Sequence, residues 1–176
     1  MKIIQSSVAI AIVLIVGLVS CASKSDKVKP VETQVEQNAE SKAKVVLPAF
    51  KMTDANGRII DMASLNGKKV FVNLWATWCP PCRAEIPSIE KLQSKVDKQK
   101  VAFVLLSLDE NFELAKNFAK KNNMQLPVYY PAEGLPAIFK TDGIPATFFF
   151  DEKGGLMKQN NGMDDYDTDE YVQLLK

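Results

Sequence analysis

Two cysteines separated by two residues, Cys79 and Cys82, are the side chains in this sequence best suited to chemistry. They follow an apolar β-type run over residues 70–75 and precede a helical pattern over residues 83–92. A first sulfur at a helix N-terminus is stabilised as a thiolate by unpaired backbone N–H groups and by the helix dipole. The second sulfur lies one turn later. The spacing therefore predicts a reversible dithiol–disulfide couple, with a Cys79–Cys82 disulfide as its redox group and no added cofactor.

The composition excludes several other kinds of site. The 176 residues contain no histidine, which excludes His-dependent catalytic triads and His-ligated metal sites. Zinc needs four ligands, and Cys21 is the one cysteine besides the pair, so we expect no metal. The net charge is +1, from 22 basic and 21 acidic residues, and gives no reason to expect a nucleic-acid partner.

The N-terminal residues resemble a bacterial lipoprotein leader. Residues 8–19 are almost unbroken in apolar side chains, a run shorter than the roughly 20 residues of a membrane span and typical of a signal peptide. The run ends at Leu18-Val19-Ser20-Cys21, which is similar to a lipobox, where cleavage exposes the cysteine for lipidation. We expect a signal peptide over residues 1–20 and a lipid on Cys21. An uncleaved anchor is the alternative, and both predict an extracytoplasmic protein tethered to a membrane.

Residues 21–46 are predicted to be a flexible linker, because they are polar and charged and lack a sustained period. A loose helix is the alternative. A coil of this kind would span roughly 25–30 Å, enough to hold a small domain clear of a bilayer. Ala22 and Ser23, which follow Cys21, favour the outer membrane if the cell has one, with the domain facing the periplasm.

Residues 47–176 have the composition of one globular domain. Strands and helices alternate along it, and a hairpin and a helix close the chain, which predicts an α/β fold with a mixed central β-sheet flanked by helices. The turn Asp54-Ala55-Asn56-Gly57 predicts an N-terminal β-hairpin. The predicted strands are 49–53, 58–61, 69–75, 101–108, 128–130 (a short edge strand or extended segment), 147–151 and 156–159. The predicted helices are 80–96, 111–122 and 169–175.

Two stretches of this domain resemble the signatures of TlpA/ResA-type thioredoxin-like proteins. Residues 73–87 (NLWATWCPPCRAEIP) are similar to the active-site stretch of that family, and residues 143–151 (GIPATFFFD) to its second signature, which carries a cis-proline. The resemblance implies a thioredoxin-like fold, to which the predicted hairpin is an addition. It also implies an extracytoplasmic location and thiol–disulfide exchange with protein substrates, and family precedent favours a monomer.

The resemblance also implies roles for single residues. Cys79 would attack a partner disulfide, and Cys82 would resolve the mixed disulfide that results. Glu85 would lie beside the cysteines, raise a thiol pKa and move protons, although a solvated carboxylate at the helix start is the alternative. Pro145 would be the cis-proline facing the dithiol, although an isolated proline is more often trans. The residues implied for the substrate groove are Trp78, Pro80, Pro81, Ile144 and Pro145.

Two positions near the dithiol qualify this picture. Asn73 stands where cytosolic thioredoxins carry a buried aspartate, and because an amide cannot accept the proton of the second cysteine, that task would move to Glu85. Trp75 could equally belong to the rim of the site or to the core.

The residues between the cysteines favour a reductant. Pro80 and Pro81 supply neither an N–H donor nor a cation, so the thiolate is less stabilised and the couple should be moderately to strongly reducing. We expect a reductase of envelope proteins, recharged by a membrane thiol-transfer protein. The resemblance to the TlpA/ResA-type family implies apocytochrome c as one candidate substrate. Two alternatives remain. One is a thiol peroxidase of the related peroxiredoxin class, although Asn73 occupies the proline position of that signature. The other is a non-catalytic lipoprotein that senses redox state or binds a partner.

Overall fold

The computed structural model describes residues 45–176 of the chain. The predicted signal peptide, the lipidation site Cys21 and the linker up to residue 44 lie outside the described residues. The last two residues assigned to the linker already pair with the domain, since Val46 forms a β-bridge with Gly155. Beside this bridge, the Leu47 N–H donates to the Gly154 carbonyl at 2.6 Å.

A seven-stranded mixed sheet forms the centre of the fold, in the order β2-β1-β5-β4-β3-β6-β7. Strand β3 runs parallel to β4, and β4 runs parallel to β5, whereas the other neighbours are antiparallel. The strands are β1 (Lys51–Asp54), β2 (Ile59–Asp61), β3 (Lys69–Trp75), β4 (Val101–Ser107), β5 (Val128–Pro131), β6 (Ala146–Phe150) and β7 (Leu156–Asn161). The predicted mixed sheet and N-terminal hairpin are therefore confirmed.

Three α-helices accompany the sheet: α1 (Pro80–Lys95), α2 (Phe112–Lys121) and α3 (Asp169–Leu175). The crossovers from β3 to β4 and from β4 to β5 step in the same direction along the sheet, so right-handed connections place α1 and α2 on the same face. Side chains of all three helices join one core cluster. None of the helices described between residues 45 and 176 is long and apolar enough to cross a membrane.

Strand β3 carries the site and is buried on both faces. Phe71 and Trp75 belong to the core cluster on the helix side, and Val70 and Leu74 belong to the cluster on the other side. That second side is closed by the N-terminal segment and by short 3-10 turns such as Met62–Leu65. Burial on both faces explains why the strand is an almost continuous apolar run.

The prediction that residues 128–130 form an edge strand or extended segment was wrong about the edge. Strand β5 lies between β4 and β1 and pairs with both. The N-terminal hairpin covers the edge that β5 would otherwise expose, as the antiparallel pairing of Met52 with Pro131 shows. Sequence patterning could not reveal this, because the pairing joins segments far apart in the chain.

Candidate active site

Cys79 is the N-cap of α1, and its sulfur is joined to Cys82 in a disulfide. Both cysteines are buried. Pro80 and Pro81 occupy the first two helical positions and have no N–H, so the first turn brings one donor to the sulfur. That donor is the Cys82 N–H, which lies 3.3 Å from the Cys79 Sγ atom. The helix N-terminus thus reaches the Cys79 sulfur through a single hydrogen bond.

A buried carboxylate fixes the loop that leads from β3 to Cys79. The Thr77 hydroxyl donates to the Asp109 Oδ1 atom at 2.6 Å, and the Thr77 N–H donates to the same atom at 3.1 Å. The Ser107 hydroxyl donates to Oδ2 at 2.8 Å. Our sequence reasoning missed Asp109. The sequence could have indicated it. Asp109 follows the end of β4 and Thr77 follows the end of β3, and the carboxyl ends of neighbouring parallel strands lie at the same edge of the sheet.

The loop before β6 approaches the dithiol from the other side. The Ile144–Pro145 peptide bond is cis, the conformation expected from the sequence. The Ile144 carbonyl oxygen lies 3.8 Å from the Cys79 Sγ atom. Strand β6 is the antiparallel neighbour of β3, and this pairing brings the two sequence motifs together.

Two surface cavities flank this loop. One, of about 530 Å³, is lined by apolar side chains that include Trp78, Leu135 and Ile144. The other, of about 590 Å³, is lined by Pro145 and by residues of β7, and it shares Ile144 and Lys140 with the first. Trp78 is 63% exposed, so a large aromatic surface stands free beside the dithiol. Pro80 and Pro81 are exposed at the helix start but line neither of these two cavities.

Trp75 and Trp78 have different environments although they lie close in sequence. Trp75 is fully buried and packs against Phe118 of α2, so it belongs to the core and not to the rim. In the part of the chain that the structure describes, no three Cys, Asp or Glu side chains are grouped so that they could hold a metal ion.

Glu85 lies one helical turn beyond Cys82 and is 2% exposed. The alternative of a solvated carboxylate is therefore wrong. The Asn73 Nδ2 atom donates to Oε1 at 2.7 Å, and the Asp164 N–H donates to Oε2 at 3.2 Å. Burial raises the pKa of Glu85 to about 7, although these two hydrogen bonds favour the charged form and lower it. Glu85 is thus a buried acid that titrates near neutral pH.

A chain of buried polar groups continues behind Glu85. The same Asn73 Nδ2 atom donates to the Thr147 hydroxyl at 2.9 Å, and the Tyr166 hydroxyl donates to that oxygen at 2.7 Å. Burial raises the pKa of Tyr166, so its phenol stays protonated and remains a donor. Thr147 belongs to the second sequence motif, but nothing in the sequence pattern indicated a role for Tyr166.

Comparison with known proteins identifies related chains. The Redoxin family model matches residues 40–175. The chain is 30% identical over 131 residues to the thiol-disulfide oxidoreductase ResA of Bacillus subtilis, an alignment that covers 73% of each chain. It is 40% identical over 81 residues to ResA of Bacillus cereus, where the alignment covers 46% of this chain and about half of the relative, 47%.

A solved structure confirms the fold. The crystal structure of a thiol:disulfide interchange protein of the thioredoxin family from Chlorobium tepidum superposes with a TM-score of 0.62 at 28% identity. The superposition covers 75% of this chain and 96% of that one. The mixed sheet with its helices is therefore a thioredoxin-like fold.

Proposed function

The chain belongs to the Redoxin family, among its ResA-type members, and on that basis we propose that it is a thiol–disulfide oxidoreductase that reduces disulfides in proteins. One observation carries the proposal. The Cys79–Cys82 pair caps the start of α1, and a buried carboxylic acid with a pKa of about 7 lies one turn further along the helix. This arrangement supplies a nucleophile, a resolving thiol and a proton acceptor in one place.

The reaction would proceed through two successive thiol–disulfide exchanges. In the reduced protein the Cys79 thiolate attacks one sulfur of a partner disulfide, forms a mixed disulfide and expels the other partner sulfur as a thiolate. Cys82 then gives its proton to Glu85, and its thiolate attacks the Cys79 sulfur. The Cys79–Cys82 disulfide forms, the second partner sulfur leaves, and two electrons have passed to the partner, whose thiolates take up protons from water.

The substrate would lie along the loop of Ile144 and Pro145. The Ile144 carbonyl is close enough to the Cys79 sulfur for the partner's backbone to be held beside the reacting atoms. The cavities on either side of the loop would receive side chains that flank the partner's disulfide. Trp78 would supply apolar contact area.

The direction of the reaction follows from the start of α1. A single N–H reaches the Cys79 sulfur and the intervening residues carry no cation, so the thiolate gains little stabilisation. A weakly stabilised thiolate belongs to a reducing couple. The lipobox-like residues 18–21 support a location in the bacterial cell envelope, where the protein would be tethered through a lipid on Cys21. A reducing couple there would be recharged by a membrane thiol-transfer protein. Apocytochrome c is one candidate substrate.

A trapping experiment tests this proposal. In Cys82→Ser the mixed disulfide on Cys79 cannot be resolved, so envelope proteins should remain covalently bound and should be released by dithiothreitol. Cys79→Ser is the matched control and should capture none. In parallel, the wild-type protein should reduce insulin disulfides with turnover, while Cys79→Ser should not. Rapid consumption of hydrogen peroxide without disulfide reduction would instead support a peroxidase, and absence of both activities would support a sensor or binding protein.

A further inference from the structure

Glu85 lines a third cavity, of about 340 Å³, on a different part of the surface. Its lining residues are Ala84, Glu85, Ser88, Met163, Asp164 and Asp165. We call this cavity the side opening. None of these six residues lines either of the two cavities beside Ile144. The buried acid therefore borders an opening that is separate from the proposed substrate groove.

The outer wall of the side opening is fixed to α1 by specific contacts. The Asp164 N–H donates to Glu85, and the Tyr166 N–H donates to the Ser88 hydroxyl at 3.1 Å. Asp167 forms ion pairs with Lys91 and Lys95 on the same helix. The segment that connects β7 to α3 is thus held along α1, and the opening is a defined feature between two packed elements.

The side opening could serve the step in which Cys82 loses its proton. When a partner protein lies across Trp78 and Ile144, water is excluded from the groove at the moment when Cys82 must lose its proton. We infer that Glu85 accepts that proton and releases it to water through the side opening, while the partner still covers the dithiol. This inference rests on the proposed function, and it assigns Ala84 and Met163 to the walls of a proton exit.

The groups around Glu85 are consistent with outward transfer. Cys82 precedes it on α1, Asp164 and Tyr166 face it from the connecting segment, and Asp165 lines the opening. Burial is the main effect that favours the protonated acid and raises the pKa of Glu85, and the negative charge of Asp164 adds to it. Asp165 is exposed and provides a carboxylate at the outer end, where a proton can pass to water.

Closing the opening provides the test. Ala84 is exposed, so Ala84→Leu adds a side chain at the mouth without disturbing the core, and leucine is a good helix former. Met163→Trp closes it from the opposite wall. Ser94→Leu adds the same bulk to an exposed position of α1 outside the opening and is the matched control. Each reduced protein is mixed in weak buffer with 5,5′-dithiobis(2-nitrobenzoate), whose two thiol products stay ionised at neutral pH, so both protons of the dithiol pass to water. Absorbance of the second nitrothiobenzoate to leave reports formation of the Cys79–Cys82 disulfide, and a pH-indicator dye reports proton release.

In wild type and Ser94→Leu, proton release should keep pace with formation of the Cys79–Cys82 disulfide. In Ala84→Leu and Met163→Trp the dye signal should lag behind the nitrothiobenzoate absorbance by about tenfold or more, a fraction of the 10²–10⁴-fold that a positioned proton-transfer group contributes. In a Glu85→Gln background the closing substitutions should have no further effect. Simultaneous signals in both closed variants would overturn the inference. Failure of the wild-type protein to react with disulfides would overturn the proposed function instead.

Discussion

Replacement of Glu85 by glutamine should remove one pH-dependent contribution to the stability of the protein. In the folded protein the pKa of Glu85 is about 7, compared with an ordinary value of 4.5. The folded state therefore binds this proton more tightly than the unfolded chain. The contribution of Glu85 to the free energy of unfolding is largest below pH 4.5 and is lost as the pH rises through about 7. A pKa shift of this size corresponds to about 3 kcal/mol of unfolding free energy, at about 1.36 kcal/mol for each unit of pKa.

Glutamine has the shape of the protonated acid but cannot ionise, so Glu85→Gln removes this pH dependence. The difference in unfolding free energy between Glu85→Gln and wild type should shift in favour of the variant by about 3 kcal/mol between pH 4 and pH 8. Urea unfolding of both oxidised proteins at several pH values measures the difference, in which the contributions of other titrating groups cancel. A difference that does not change between pH 4 and pH 8 would refute the assignment of Glu85 as a buried acid.

Three further predictions follow from the site. Asp109→Ala leaves the Thr77 and Ser107 donors without their acceptor, so chemical denaturation should show a loss of about 3 kcal/mol or more, since hydrogen bonds to charged groups contribute about 1.5–3 kcal/mol each. Trp78→Ala removes an exposed side chain, so unfolding free energy should change by less than about 0.5 kcal/mol, whereas KM for a protein disulfide should rise. The reduction potential, measured against glutathione, should lie well below the roughly −120 mV of DsbA, and a value near it would exclude a reductase.

The fold, the Cys79–Cys82 pair at the helix start and the cis Pro145 could be predicted from the sequence because they depend on local patterns. The apolar run of β3, the cysteine spacing and the Ile144–Pro145 motif each lie within a short stretch. The position of β5 inside the sheet depends on its pairing with β1, which lies far away in the sequence, so no local pattern predicts it. Tyr166 was missed for the same reason, since its contact with Thr147 exists only after β6 and the connecting segment have packed together.

The pair of Asn73 and Glu85 shows how opposing effects place a proton acceptor near neutral pH. Both oxygens of Glu85 face N–H donors, from Asn73 and Asp164, and this geometry favours the carboxylate. A protonated Glu85 would need an acceptor for its hydrogen, but the Asn73 amide turns its Nδ2 atom towards it. The Oδ1 atom of Asn73 has no hydrogen-bond partner among the described residues. Burial acts in the other direction and dominates. An aspartate at position 73 would add a second buried charge and raise the pKa of Glu85 further, so the amide keeps this acid able to take a thiol proton and to lose it again near pH 7.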